Sequence, residues 1–266
     1  MQRDTLGRNN VLAPENMTPH SVYPETPGPL RLDQLSWPAA LEALRRDPRI
    51  ILPIGSCLQH GPHLPLGTDS IVITRIAEEV ARRNGVLLAP TLPYSVASRN
   101  EREYAGTASL DAKTLHRVLN ELVDSWEQHG LAEIVLMTAH GFGPHLRAIS
   151  TVVSDTVRVR AVDLHSIDLS HLIEAPLAAQ HAGEVATALM LYLAPELVQT
   201  DAVHDRVLTP SQARLLVVGQ EPVPPEGSPG VLGRPSLASA EQGRNIYEYL
   251  VDHIGERLYG RENGPA

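Results

Sequence analysis

Short, nearly continuous apolar runs separated by amphipathic stretches place the strongest constraint on how this 266-residue chain can fold. Ile50-Ile51-Leu52-Pro53-Ile54, Val86-Leu87-Leu88-Ala89-Pro90 and Glu133-Ile134-Val135-Leu136-Met137-Thr138 are each of strand length. Such runs suit parallel strands covered on both faces, because a strand with one wet face alternates instead. Val157 to Val162 does alternate Val with Arg and Ala, and reads as a strand with a more exposed face. Helical patterns lie between and beyond these runs. One spans Ser36 to about Arg46 with Pro38 in its first turn, and another runs from Asp69 to Arg83 and is closed by Asn84-Gly85. A third is capped by Asp111 and ends at His129-Gly130, and shorter ones begin at Pro144 and run from Gly183 to Leu193. Ala240 to Leu258 carries the last. Strands and helices joined by short connections predict a layered α/β/α sandwich on a mainly parallel sheet.

Residues 1–33 hold Pro14, Pro19, Pro24, Pro27 and Pro29 among polar residues and read as an extended or disordered arm. Residues 34–260 form one catalytic domain in this reading, with a proline- and glycine-rich loop over 220–236, and 261–266 form a tail. The formal charge of -9 provides no basic footprint, which argues against nucleic acid or an acidic membrane surface as a partner. No stretch approaches the ~20 apolar residues of a membrane span, and the first twenty residues lack the apolar centre of an export signal. Cys57 is the only cysteine, so no internal disulfide can form and a reducing cytoplasm is the expected location.

The first apolar run leads into Gly55-Ser56-Cys57-Leu58-Gln59-His60-Gly61-Pro62-His63-Leu64-Pro65-Leu66-Gly67-Thr68-Asp69, a loop stiffened by two prolines. His60 and His140 each follow a buried strand at its carboxyl end, the edge where open parallel sheets collect ligands. With Asp69 they make two imidazoles and a carboxylate, a set suited to a divalent transition metal with open positions for water and substrate. Plainer readings compete: Asp69 as a helix N-cap, and His60 as a satisfied buried histidine.

Gly55-Ser56 followed by Gln59 to Asp69 resembles the signature of the creatininase (creatinine amidohydrolase) family. The resemblance continues through Gly106-Thr107, the His140-Gly141 turn, His181-Ala182-Gly183 and the segment from Gly230 to Gly243. It implies a metal-dependent hydrolase of C–N bonds in cyclic or small amides, usually with two divalent ions. His60, a bridging Asp69 and His140 would be ligands, and His181 a proton-transfer group beside the substrate, with an imidazole pKa near the working pH. It also implies a homo-oligomer, dimers building to a hexamer.

The departures from that pattern bear on the chemistry. The family's first-loop glutamate ligand is Leu58 here, and the places of a second glutamate ligand hold Phe142-Gly143 and Ala186-Thr187-Ala188. A histidine common before the Gly-Thr motif is Glu101. Two dications ~3.5 Å apart repel by roughly 19 kcal/mol at an effective dielectric constant near 20, and Asp69 alone would leave +3 uncompensated. The expectation is therefore one divalent transition metal (Zn, Mn or Fe) on His60, Asp69 and His140, or a pocket without metal. Glu184 is a candidate substitute ligand or catalytic carboxylate, and His63 a further polar group of the pocket. Cys57, Leu58, Phe142 and Glu101 are placed around the substrate, although Ser98 to Glu103 also reads as a solvated charge run and Cys57 as a packed small residue. The function expected is hydrolysis of a small cyclic-amide-like substrate. Its rivals are a metal-free or non-hydrolytic step, such as cyclisation, dehydration or isomerisation in a specialised biosynthetic pathway, and an inactive binding or assembly subunit.

Overall fold

The computed structural model describes residues 30–175, 180–209, 211 and 229–260. The arm up to residue 29, residues 220–228 of the expected loop and the 261–266 tail lie outside the described residues. Within them, β1 (Arg49–Ile54), β2 (Leu87–Leu88), β3 (Glu133–Thr138) and β4 (Arg158–Asp163) form a parallel sheet in the order β2-β1-β3-β4. The run at 86–90 contributes only two paired residues. Leu30 and Arg31 flank it instead of ending an arm, since Leu88 N–H donates to Leu30 O at 3.0 Å and Arg31 bridges Leu88. At the other edge, β4 is more exposed than β1 and β3, with Val162 its one buried residue.

The buried runs of β1 and β3 send alternate side chains into two cores. Ile51, Val135 and Met137 pack with α2 (Thr68–Asn84), α5 (Glu184–Leu193) and α6 (Ala240–Tyr259). Ile50, Leu52, Ile54, Ile134 and Leu136 pack on the other face with α1 (Trp37–Arg46), α3 (Ala112–Glu127) and α4 (Gly143–Ser150). This is the α/β/α sandwich, and its physical origin is strands with no polar face. Asp111 caps α3 through Thr114 N–H, whereas Ser36 stands at the N-cap of α1 without a side-chain cap bond. Among the described residues no helix is long and apolar enough to cross a membrane. β1 and β3 are neighbours, so the loops leaving their carboxyl ends, which carry His60 and His140, open side by side.

Candidate metal centre

Two local features bring the loop after β1 onto α2. A Cβ on Gly55 would lie 2.5 Å from Ser70 Cα, so only glycine allows the strand end to meet the helix this closely. Gly61 adopts φ +69°, a left-handed turn that reverses the chain between His60 and His63. The helix itself starts from Gly67 with no side-chain cap, which overturns the N-cap reading of Asp69. Asp69 instead projects its carboxylate from the first turn into a buried cluster: His60, Asp69 and His140 are 3%, 7% and 5% exposed. Asp69 Oδ1 lies 3.0 Å from His60 Nε2, and Oδ2 lies 3.5 Å from His140 Nδ1 while accepting the Ser56 hydroxyl at 2.6 Å.

The outer hydrogen bonds fix which ring nitrogens are bare. His60 Nδ1 is 3.0 Å from Leu58 O, and His140 Nε2 is 2.9 Å from Val96 O. A carbonyl oxygen only accepts, so those two nitrogens must carry hydrogen. In the neutral rings the other nitrogens, both aimed at Asp69, are lone pairs facing an anion. Two acceptors at this range require a cation between them, either a proton or a metal ion. Backbone carbonyls that orient the far side of each imidazole are the usual outer support of metal-binding histidines.

Electrostatics agree with the geometry. Burial opposes charge on His60 and His140, but the Asp69 carboxylate, its hydrogen bonds and the nearby Glu101 overcome this and raise both pKa values. Burial likewise opposes ionisation of Asp69, yet His60 and His140 hold it well below the usual carboxylate range. The donor chemistry therefore suits a cation. Among the described residues, however, no group of three or more His, Cys, Asp or Glu side chains is arranged to hold a metal ion as it stands. The donors meet as two pairs on opposite oxygens of one carboxylate.

The remaining predicted residues are distributed unevenly about this cluster. His181 stacks on His60 with ring centroids 4.8 Å apart, and its Nε2 lies 2.9 Å from both the Gln59 side-chain amide and Gln59 O. Desolvation, then the charge on His60, lowers its pKa to about 3, so the expectation of a pKa near the working pH does not hold. The adjoining Ala182 sits at φ +51°, a conformation disfavoured for a non-glycine residue, and directly follows the His181 backbone pairing with Leu232. His63 is fully buried with Nε2 on the Thr187 hydroxyl at 3.0 Å; burial and the His60 charge lower its pKa to about 4. Glu184 accepts from Glu174 N–H at 2.8 Å, Ala175 N–H at 2.7 Å and the Gln242 amide at 2.5 Å, and none of these partners belongs to the cluster.

Around the vacated ligand positions, Leu58 is fully buried, and Phe142 packs on the α1/α3/α4 core with its ring 6.3 Å from that of His140. Cys57 is half-buried, with its thiol near Gly106 O. Glu101 is buried, contrary to the solvated reading of its charge run, whereas Arg102 and Glu103 are exposed. Several contributors were assigned no role from the sequence: Ser56 on Asp69 and Gln59 against His181, both inside the first-loop motif, and Val96 behind His140, which carries no motif at all. Thr138 and His145 belong with them. The Thr138 hydroxyl accepts His140 N–H and bonds His145 Nε2, and the His145 ring meets that of His140 edge-on at 4.9 Å.

Comparison with known proteins gives this architecture a family context. The Creatininase family model, creatinine amidohydrolase, matches residues 33–258. A mycofactocin precursor peptide peptidase from Mycobacterium ulcerans is 33% identical over 236 residues, covering 82% of this chain and 87% of that protein. A creatinine amidohydrolase from Pseudomonas putida is 28% identical over 239 residues, covering 81% and 90%. A solved manganese form of creatininase aligns with a TM-score of 0.74 at 25% identity, covering 86% of this chain and 97% of that one.

Proposed function

The chain belongs to the creatininase family of amidohydrolase-type enzymes, and from that premise we propose that it hydrolyses an amide C–N bond in a small substrate, with one divalent ion held by His60, Asp69 and His140. The observation that carries this reading is the pair of bare ring nitrogens aimed at opposite oxygens of a buried aspartate, each ring held from behind by a backbone carbonyl. A bound Zn, Mn or Fe ion would polarise the scissile carbonyl and lower the pKa of bound water. The family relatives named above include a peptidase and a creatinine amidohydrolase, which share the amide C–N bond as the point of attack.

In this reading Ser56 and the two histidines fix Asp69, and the outer carbonyls prevent either ring from turning. His181, stacked on His60 and held neutral, has no imidazolium proton to give in the resting site. The direction open to it is acceptance of a proton, strengthened as negative charge develops beside it. Gln59 orients that ring at Nε2 through either its backbone carbonyl or its side-chain amide, since one ring nitrogen cannot donate to the first and accept from the second at once. Leu58 and Phe142 bring apolar surface where the family's glutamate ligands stand, which favours one ion over two.

Ring opening of creatinine, read as creatine formed, and amine release from short peptides test the proposal, using protein supplied with Zn²⁺ or Mn²⁺. Chelation and His140→Ala should each remove bound metal and turnover together; full activity in either condition would sink it. The second reading, a metal-free non-hydrolytic reaction, is favoured by the same two apolar substitutions and predicts turnover that survives chelation but still requires His60.

A further inference from the structure

We propose that His145 is a positioning residue for His140: through the Val96 backbone, the Thr138 hydroxyl and its own ring it holds the His140 imidazole with Nδ1 turned to Asp69. The inference rests on the single-ion reading above, in which that nitrogen is the ligand atom, and deepens it with a residue outside the ligand set. His145 lies on α4, which begins just after the His140 turn, and its side chain is fully buried. Ala148, Ile149 and Val152 after it pack into the α1/α3/α4 core with Ile54, Val96 and Leu136. An apolar side chain would fill such a place without the cost of burying two polar nitrogens. Both nitrogens of His145 instead meet groups that support His140.

Nδ1 of His145 is 3.5 Å from Val96 N, a long contact in which the amide N–H can only donate. The lone pair therefore stands on Nδ1, the ring is neutral, and its one proton is on Nε2, which donates to the Thr138 hydroxyl oxygen at 2.9 Å. That same oxygen accepts His140 N–H at 3.1 Å. Val96 closes the circuit from the other side, because its carbonyl accepts the His140 Nε2 proton at 2.9 Å. The N–H and C=O of one residue thus face two imidazoles whose centroids are 4.9 Å apart, edge to face.

The neighbours of Val96 are tied elsewhere: Leu110 N–H donates to Ser95 O and Ala97 N–H to the Ser109 hydroxyl, each at 2.9 Å. The Val96 carbonyl is therefore an anchored acceptor. A half turn of the His140 ring would put carbon where Nδ1 and Nε2 now meet Asp69 and Val96, and the His145 ring borders the space in which it would turn. Removing the His145 nitrogens would leave Val96 N–H buried without a partner and release the Thr138 hydroxyl, which loosens both supports of His140 together.

The test reads the His140 ring itself. In chelator-stripped full-length protein carrying nitrogen-labelled histidine, NMR follows hydrogen exchange of the His140 Nε2–H beside that of the β3 backbone amides. His145→Phe, which keeps a ring and removes both nitrogens, should speed exchange of that ring proton about tenfold more than exchange of the β3 amides, a difference that general loosening of the fold would not produce. His145→Gln, whose amide can still donate to Thr138, should recover part of the protection. A His140 ring proton as protected in His145→Phe as in wild type would overturn the proposal. Should His145→Phe not fold, Thr138→Val cuts the same path and carries the same expected and refuting results. Zinc titration of wild type separates this inference from the reading beneath it. No zinc bound, with ring protection lost in His145→Phe, would overturn the single-ion reading and leave the positioning of His140 standing; one zinc bound, with protection unchanged in the variant, would do the reverse.

Discussion

Replacing Glu184 by Gln separates a structural carboxylate from a chemical one. The side chain is fully buried at the start of α5, where its two oxygens accept from Glu174 N–H, Ala175 N–H and the Gln242 amide. Glutamine keeps the shape but presents one acceptor oxygen and one NH2 group. The oxygen can serve a backbone N–H on one side, while on the other the new NH2 meets a donor. At least one charge-assisted hydrogen bond is lost, worth about 1.5–3 kcal/mol, and a donor is left without a partner at about 1–3 kcal/mol. Allowing for partial relaxation, a net loss of about 3 kcal/mol is expected. For a domain of this size that corresponds to a fall in Tm of about 6–12 °C. Calorimetric and urea unfolding of metal-free protein measure it. Zinc stoichiometry and activity per folded molecule should stay near wild type at a temperature where the variant remains native. A variant that melts with wild type yet has lost turnover would refute this reasoning and place Glu184 in the chemistry.

Leu58→Glu restores a carboxylate at a fully buried position. Without metal an added buried charge should destabilise the fold by several kcal/mol, and zinc should recover most of that loss while raising the stoichiometry toward two; equal melting temperatures with and without zinc would contradict this. The pH dependence of chelated protein follows from five histidines and Asp69. His145 and His181 are lowered to about 3 and His63 to about 4 by burial and by neighbouring imidazolium charge, so the unfolded chain binds more protons below its histidine pKa of about 6.5 and stability falls on acidification. Asp69, held low, adds stability that is lost as the pH falls through its folded pKa. His60 and His140 are raised, so their contribution is complete below about pH 6.5 and is lost as the pH rises through their folded values. Metal-free stability should therefore peak near pH 6.5; a monotonic rise to pH 8 in urea midpoints would show that the two raised histidines are not coupled to Asp69.

The sheet and the meeting of His60 and His140 at Asp69 were legible because they depend on local pattern and topology. Apolar runs without a polar face dictate buried parallel strands, and neighbouring parallel strands bring the residues after their carboxyl ends together; that is enough to unite His60 with His140. Other features depend on where a loop travels. Val96 has no local mark of a metal-site residue, and only the fold brings its carbonyl to a ring 44 positions away. Glu184 looked like a substitute ligand by spacing, yet the segment ending at Ala175 and the Gln242 side chain occupy its oxygens. Glu101 and Glu103 are indistinguishable in composition and two residues apart; the Ser98 turn buries one and leaves the other in water. That difference matters because the sequence pattern counts carboxylates by motif position alone. Burial decides which carboxylate turns into the fold and which stays in water, and it does so through loop contacts such as the Ser98 turn that no motif spells out.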